Sequence, residues 1–210
     1  MKSIFFLLII LSAGSFFMLK KKGSIDKPAL AKASKLKPAD NSNLIRLQGH
    51  ADLIKKYLKN GNYNKDFCFL IDMKISSGKN RFFVYSLSGD SIIASGLTTH
   101  GSGSQTATDA LTFSNTEGSY ATSIGRYKIG EKYSGKFGTA YKLFGLDKTN
   151  SNAYVRAVVL HSHPYVPAQE VYPQPICLSW GCPTVSPSYL KVLEKYIDNS
   201  SKPVMIWIYY

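Results

Sequence analysis

Three runs rich in β-branched and aromatic residues lie between residues 67 and 97, and only short polar stretches separate them. The first run alternates over Phe67–Ile75, the second covers Arg81–Leu87, and the third covers Ser91–Leu97. The stretches between them contain Gly, Ser, Asn and Asp, which favour tight reversals of the chain. Strands joined by such short turns pair antiparallel. The segment therefore predicts an antiparallel meander and a fold built mainly from β-strands.

The chain on either side of this meander predicts two helices. Apolar residues three to four positions apart favour a helical lead-in over residues 41–64, with the helix itself over Asn41–Asn60. Ser186 is a suitable N-cap, and Pro187 suits the first turn of a second helix. That helix is expected to turn four residues inward: Leu190, Leu193, Tyr196 and Ile197.

Two further strands and one long loop complete the body. The run Tyr154–Leu160 is typical of a buried strand, and Val204–Tyr210 is expected to form the last strand. Residues 100–152 are rich in Gly, Ser, Thr and Tyr and show no helical period. Because loops of this length in a compact domain are usually functional, this stretch is expected to contribute to a site.

The size and composition of the chain fit one domain with a short leader. Its 210 residues suffice to bury a core without covalent staples, and 44% of them are apolar against 19% charged. The chain has 3 cysteines, which excludes a disulfide-dense scaffold and leaves at least one thiol without an intrachain partner. One of them, Cys68, lies in the first predicted strand and is expected to be a core residue.

The N-terminal segment has the features of an export signal. Residues 4–19 form a nearly unbroken apolar run between lysines, which is typical of a secretory signal. The run is shorter than the about 20 residues of a full membrane span. Residues 1–22 are therefore expected to be a signal peptide or a short membrane anchor, and residues 23–40 a flexible basic linker. A protein of the periplasm or cell envelope is expected.

The positive charge is concentrated at the same end of the chain. The net charge is +13, and residues 1–60 contain 12 Lys and Arg against 3 Asp and Glu, so the remaining body is only mildly basic. Lysines in the N-terminal segment favour contact with anionic lipid head groups. We therefore expect membrane contact only through this segment, no nucleic-acid partner, and a monomer.

A histidine and a cysteine in the last third of the chain form the candidate catalytic pair. His161 follows the strand predicted over residues 154–160, and Cys182 follows Gly181 in the string Ser-Trp-Gly-Cys-Pro. A cysteine nucleophile needs a base, because a free thiol with a pKa of about 8.5 is mostly protonated near neutral pH. It also needs N–H donors for an oxyanion, and the amides of Gly181 and Cys182 are candidates.

This arrangement resembles the L,D-transpeptidase (YkuD-like) catalytic domain, and within it the branch known as murein L,D-transpeptidase catalytic domain. The matching strings are Leu-His-Ser-His at 160–163 and Ser-Trp-Gly-Cys-Pro at 179–183, with a capped helix and a final strand after them. Residues 118–129 resemble the family's Thr-Pro-x-Gly-x-Phe-x-Ile segment, with Ser123 and Ile124 in place of Thr-Pro. The resemblance covers about residues 65–210. It implies a mostly β (α+β) fold, an antiparallel β sandwich or barrel with an N-terminal helix and a short helix after the cysteine.

The resemblance also implies an activity and the roles of single residues. The family's nucleophile corresponds to Cys182, its base to His161, and the backbone carbonyl beside the base to Ser162. The serine of the cysteine motif corresponds to Ser179. The implied activity is that of a cysteine L,D-transpeptidase on peptidoglycan stem peptides. We expect no cofactor, and no metal because no Asp closely follows the His-x-His pair at 161–163. In the family motif a His stands at the position of Trp180 and an Asn at that of Thr184.

Five residues around this pair are candidates for contact with the substrate. His163 precedes Pro164 and a proline-rich loop, so either contact with substrate or a surface position fits it. Trp180 suits either a wall of the acyl pocket or a plug of the core. Arg126 and Tyr127 suit contact with an acidic peptide or a solvated strand face. His100 suits either the cleft or a solvated loop.

Other functions fit parts of the same pattern. Hydrolysis by the same residues would make the protein an L,D-carboxypeptidase. His161 and His163 resemble the His-x-His zinc motif of JAMM-type metalloproteases, but no Asp follows between Pro164 and Tyr196 to complete it. A non-catalytic wall-binding module is a third possibility. Cys177 lies five positions before Cys182, and a disulfide between the two would disable the nucleophile.

Overall fold

This computed structural model describes residues 41–108 and 110–210, which form two α-helices and eight β-strands. The helices are α1 (Asn41–Leu58) and α2 (Pro187–Asp198). The strands are β1 (Phe67–Asp72), β2 (Phe82–Ser86), β3 (Ser91–Gly96), β4 (Gly125–Gly135), β5 (Gly138–Gly145), β6 (Val159–Ser162), β7 (Thr184–Val185) and β8 (Met205–Tyr209). The expected signal peptide or anchor at residues 1–22 and the expected linker at residues 23–40 lie outside the described residues.

The eight strands form one sheet in the order β3-β2-β1-β8-β4-β5-β6-β7. The meander expected from the sequence is present, because β2 pairs antiparallel with both β1 and β3. The pairs β1–β8 and β6–β7 are parallel, so the sheet is mixed. Both parallel pairs join strands that long connections separate, as parallel pairing requires. The expected mostly β fold with an N-terminal helix and a short helix after Cys182 is confirmed.

The two edges of the sheet meet beyond the end of β3. Thr98 forms an isolated antiparallel bridge with Val185 of β7, and the Thr99 amide donates to the Thr184 carbonyl at 2.9 Å. A second bridge joins Gly101 to Ser179. The sheet therefore curls back on itself as a barrel does, and this seam brings the Cys182 region against the chain that follows β3.

Alternating side chains of the strands build one core on each face of the sheet. On one face, Phe69 and Ile71 of β1 and Ile206 of β8 pack against α2. On the other face, Cys68 and Leu70 pack against α1. The burial of Cys68 confirms its expected core position, and burial raises the pKa of its thiol to about 12.

The helix after the candidate cysteine forms as expected. The Ser186 hydroxyl accepts a hydrogen bond from the Tyr189 amide at 3.1 Å, and Pro187 opens α2. Leu190 and Leu193 are buried against the sheet, and Tyr196 and Ile197 pack beside them. Because α2 begins directly after β7, its cap fixes the chain that leaves the candidate site.

The expectation of one long loop over residues 100–152 is wrong for its second half. Residues 125–145 form the antiparallel hairpin β4–β5, which turns at Lys136 and Phe137. Its five glycines hid the alternation of buried side chains, since glycine weakens a strand by propensity. Here the glycines allow close packing: a Cβ on Gly145 would lie 1.9 Å from the Asn150 carbonyl oxygen.

The strand expected over Tyr154–Leu160 is also wrong for its first five residues. Only Val159 and Leu160 of that run belong to β6, and residues 151–157 are turns. The Ala157 amide donates to the Tyr154 carbonyl at 3.0 Å, and Ala157 has a φ of +51°. The β-branched residues misled the prediction because Tyr154 and Val155 are exposed side chains of a turn.

Candidate active site

A cleft of about 280 Å³ opens where the two edges of the sheet meet. Cys182, His161 and Thr184 lie in its floor, and its walls are mainly apolar. His161 on β6 pairs directly with Thr184 on β7 in the sheet register, so adjacent strands hold these two side chains. The cysteine precedes β7 by two residues. Rigid sheet pairing therefore positions the candidate base beside the candidate nucleophile's loop.

The hydrogen bonds of His161 define its tautomer. Its Nδ1 lies 3.1 Å from the Ser162 carbonyl oxygen, which only accepts, so Nδ1 carries the proton. In the neutral ring Nε2 is then an acceptor, and the Thr184 hydroxyl, 3.0 Å away, donates to it. Burial lowers the pKa of His161, and the Ser162 carbonyl opposes this effect. The ring is therefore neutral near pH 7, and its unprotonated Nε2 accepts the hydrogen bond from Thr184.

The thiol of Cys182 is held by the backbone that leads into β6. Its Sγ accepts a hydrogen bond from the Val159 amide at 3.5 Å and donates to the Ala157 carbonyl at 3.8 Å. Burial raises the pKa of the thiol, and the Val159 amide and the charge of Arg156 act in the opposite direction. Within the described part of the chain, no hydrogen bond joins the thiol to His161. The thiol, with its raised pKa, and the His161 ring therefore have separate hydrogen-bond partners in this structure.

Two hydroxyl groups fix the Cys182 carbonyl on the other side of the loop. The carbonyl accepts from Ser179 Oγ at 2.7 Å and from Thr99 Oγ1 at 3.2 Å. Thr184 Oγ1 lies 3.5 Å from the same oxygen, but its proton is directed to His161. Ser179 Oγ also accepts from the Gly181 amide at 3.2 Å. Ser179 thus closes the turn that presents the cysteine.

The expected oxyanion donors differ in their availability. The Gly181 amide is engaged by Ser179, whereas the Cys182 amide donates to no other group in residues 41–108 and 110–210. Gly181 has a φ of +109°, and a Cβ there would lie 2.8 Å from the Ala121 carbonyl oxygen. Glycine is therefore required by both conformation and space.

Two of the expected substrate residues lie at the cleft. His163 and Trp180 line it, and Trp180 is 79% exposed, so it is a wall residue and no core plug. Trp180 packs beside Tyr120, with ring centroids 5.7 Å apart. His163 accepts a hydrogen bond at Nδ1 from the Tyr165 amide at 3.2 Å.

The other three expected substrate residues lie elsewhere. Arg126 is paired with Asp147 in a groove beside Trp207, because its guanidinium finds a carboxylate there. Tyr127 is fully buried, and its hydroxyl lies 2.7 Å from Ser123 Oγ. These two residues do not reach the cleft.

His100 is buried in a different polar cluster, so neither the cleft nor a solvated loop describes its side chain. Its Nδ1 lies 3.0 Å from Nη2 of Arg81, which only donates, so Nδ1 is the acceptor and Nε2 carries the proton. Nε2 then donates to Gln105 Oε1 at 3.0 Å. The His100 carbonyl still serves the site, because it accepts from the Ser179 amide at 2.9 Å.

The sequence did not point to several residues that shape the cleft. Phe137, at the tip of the β4–β5 hairpin, stacks on His161 with a centroid distance of 5.4 Å. Thr99, in the chain after β3, donates a hydrogen bond to the Cys182 carbonyl. Arg156, in the turn before β6, places a positive charge that favours the ionised Cys182 thiol. Of these, only Phe137 had a signal in the sequence, because the alternation of Tyr127, Ile129 and later apolar residues is typical of the strands that form its hairpin. The other contacts depend on closure of the sheet, which the sequence does not reveal.

Cys177 lines the same cleft as Cys182, and both thiols are free. In the part of the chain that the structure describes, no group of three or more His, Cys, Asp or Glu side chains could hold a metal ion.

Among residues 41–108 and 110–210, no helix is long and apolar enough to cross a membrane.

Residues 40–209 match the family model YkuD_2, described as L,D-transpeptidase catalytic domain. No curated protein matches the chain.

Several solved structures are similar in fold. One is an L,D-transpeptidase from Mycobacterium smegmatis, with 15% identity, coverage of 69% of this chain and 59% of that chain, and a TM-score of 0.41. A second is the helical cell shape determining protein Pgp2 from Campylobacter jejuni, with 15% identity, 77% and 55% coverage, and a TM-score of 0.42. A third is an L,D-transpeptidase from Xylanimonas cellulosilytica, with 12% identity, 71% and 62% coverage, and a TM-score of 0.38. The chain thus spans between half and two thirds of each of these proteins. Because the family model matches most of its length, the chain belongs to the family of L,D-transpeptidase catalytic domains.

Proposed function

We propose that this protein is an exported cysteine L,D-transpeptidase that acts on peptidoglycan stem peptides. The observation that carries the proposal is that Cys182 and His161 line the same cleft, while the bond from Nδ1 to the Ser162 carbonyl leaves Nε2 of His161 unprotonated. Family membership supports the reaction class. Residues 65–210 would form the catalytic body, with residues 41–64 as its helical lead-in. Residues 1–22 would direct export or anchor the protein, and residues 23–40 would be the linker.

The first half of the reaction forms an acyl-enzyme. His161 Nε2 takes the thiol proton, and the Cys182 sulfur attacks the carbonyl carbon of the amide between the L- and D-centred residues. The C–N bond then breaks, and the leaving amine of D-Ala takes the proton from His161. The stem is left as a thioester on Cys182. The Ser162 carbonyl keeps Nδ1 protonated throughout, so Nε2 alone exchanges the proton.

The second half transfers the acyl group to an acceptor. An amine attacks the thioester carbonyl and gives its proton to His161. The C–S bond then breaks, and the leaving sulfur takes that proton from His161, which restores the Cys182 thiol and the neutral ring. A neighbouring stem as the acceptor gives a crosslink, and water as the acceptor gives a carboxypeptidase. In both steps the Cys182 amide is the free donor for the oxyanion. The Gly181 amide joins it only by leaving Ser179 Oγ.

The cleft fits a peptide that lies across its apolar walls. Trp180, Phe137 and His163 line the cleft, and Tyr120 packs against Trp180 from outside it. Large exposed apolar surfaces of this kind usually mark binding sites. These aromatic side chains would exclude water from the thioester, which favours transfer to an amine over hydrolysis.

The proposal is tested by mass spectrometry of stem peptides after incubation with the purified chain. We expect loss of D-Ala from a tetrapeptide stem and, with an amine acceptor, a crosslinked product. Cys182→Ala should abolish both products, and Cys177→Ala, the matched control in the same cleft, should retain them. A strong chelator should leave the reaction unchanged. Activity in Cys182→Ala would overturn the cysteine mechanism, and loss on chelation would instead support a metallohydrolase. Absence of any product with intact protein would support a wall-binding module.

A further inference from the structure

The turn before β6 surrounds the candidate nucleophile with polar groups. Its backbone bonds run from the Arg156 amide to the Asn152 carbonyl at 2.9 Å and from the Val158 amide to the Ala153 carbonyl at 2.9 Å. Ala157 lies at a positive φ of +51°, an uncommon conformation for alanine. This conformation leaves the Ala157 carbonyl and the Val159 amide at the Cys182 sulfur.

Arg156 joins this turn to the segment on the far side of the cysteine loop. Its Nη1 donates to the Ser114 carbonyl at 2.8 Å, and its Nη2 donates to the Ala121 carbonyl at 2.6 Å and to Ser119 Oγ at 3.3 Å. All three acceptors are neutral. No carboxylate of the described residues forms an ion pair with it, although Arg46 and Arg126 both have one. The guanidinium is therefore immobile, and its charge is not neutralised by a neighbour.

The charge lies directly behind the peptide that carries the nucleophile. A Cβ built on Gly181 would be 3.3 Å from Arg156 Nη2, so the guanidinium packs against the Gly181–Cys182 segment. A fixed positive charge in a partly buried site favours a nearby negative charge without any rearrangement when that charge forms. The thiolate and the oxyanion are the negative charges of the reaction.

We propose that Arg156 is a positioning residue of this site, which holds the turn of residues 153–158 against the cysteine and stabilises the Cys182 thiolate by its charge. The inference rests on the proposed role of Cys182 as the nucleophile. The sulfur then has two stabilising partners of its own, the Arg156 charge and the Val159 N–H, before His161 acts. If Arg156 only linked these neutral acceptors, a neutral hydrogen-bond donor would suffice at this position. A positive charge without a counterion is not needed for that role alone.

The test is the rate of Cys182 alkylation by iodoacetamide as a function of pH, in a Cys177→Ala background and with the labelled peptide identified by mass spectrometry. This readout needs no substrate. Arg156→Gln, which removes the charge, should raise the alkylation midpoint and slow the reaction about three- to tenfold below the midpoint, since one pH unit is a factor of ten in thiolate. Arg156→Lys, which keeps the charge, should lie closer to the wild type. Lys148→Gln, which removes an exposed charge outside the site, should have no effect.

The result that overturns the inference is a folded Arg156→Gln protein with the wild-type midpoint. If Arg156→Gln does not fold, Arg156→Lys decides: slowing by less than about threefold supports the role of the charge, and slowing of about threefold or more overturns it. Failure of the proposed function looks different, because then the wild-type chain turns over no stem peptide or Cys182→Ala retains turnover, whatever the Arg156 variants do to alkylation.

Discussion

The Nε2 atom of His161 lies 3.0 Å from the Thr184 hydroxyl, and the hydroxyl is the donor of this hydrogen bond while the ring is neutral. The lone pair that would take the thiol proton is therefore already occupied. The thiol in turn donates to the Ala157 carbonyl. Thr184 and Ala157 thus engage the proposed base and the proposed nucleophile separately, and the proposed proton transfer requires both bonds to be exchanged.

Replacement of Thr184 by valine should make the thiol more reactive. The loss of the hydroxyl removes a competitor for Nε2, and a net hydrogen bond of about 0.5–1.5 kcal/mol corresponds to a rate increase of about two- to tenfold. The measurement is alkylation of Cys182 near pH 7. Thr184→Ser keeps the hydroxyl and should match the wild type. Slower alkylation of Thr184→Val would show that the hydroxyl instead supports the charged imidazole.

His161 and His163 should respond differently to replacement by alanine. His161 is held by sheet pairing and by the Ser162 carbonyl, whereas His163 is at the edge of the cleft against Phe137. We expect His161→Ala to lower kcat by about 10²–10⁴-fold, as is usual for a positioned acid–base group. His163→Ala should mainly raise KM. Steady-state kinetics with a tetrapeptide stem check this, and the reverse pattern would exchange the two roles.

The folded protein should lose stability as the pH falls below about 6.5, the ordinary histidine pKa. Burial lowers the pKa of His50, His100 and His161. The unfolded chain therefore binds more protons than the folded chain just below that pH, and protonation favours unfolding. Urea denaturation at about pH 7.5 and pH 5.5 measures this, with the lower midpoint expected at pH 5.5. Equal or greater stability at pH 5.5 would contradict the burial of neutral histidines.

Glycine at position 181 should be essential for the site. Gly181→Ala combines a φ of +109° with a contact of 2.8 Å between the new Cβ and the Ala121 carbonyl oxygen. Gly118 is the matched control, because it has a φ of +73° and open space around it. We expect Gly118→Ala to cost about 1–2 kcal/mol of unfolding free energy without loss of turnover, and Gly181→Ala to cost more and to abolish turnover. Equal effects would show that conformation alone accounts for Gly181.

The elements that the sequence predicted well are those whose signals are local. The meander β1–β3 follows from alternation and turn residues, and α2 follows from the Ser186 cap and Pro187. The hairpin β4–β5 was missed because its glycines are needed for close packing: a Cβ on Gly130 would lie 2.2 Å from the Phe144 ring. That requirement arises only in the folded structure.

The same distinction holds for the candidate site. Cys182 and His161 were identified by their motifs, and the structure brings both to one cleft. The partners that control them come from distant parts of the chain. Thr99 reaches the Cys182 carbonyl through closure of the sheet, and Arg156 reaches the site through a turn where the sequence predicted a strand. The positions of Arg126 and His100 likewise depend on their partners Asp147 and Arg81.

The most direct test of the account is the mass of the protein itself during turnover. The purified chain is incubated with a tetrapeptide stem, quenched with acid, and examined by intact-mass and peptide mass spectrometry. We predict an added mass equal to the stem without its terminal D-Ala, located on the peptide that contains Cys182 and absent from Cys182→Ala. An added amine acceptor should discharge it. Product formation without an adduct on Cys182, or with the adduct on another residue, would contradict the proposed mechanism.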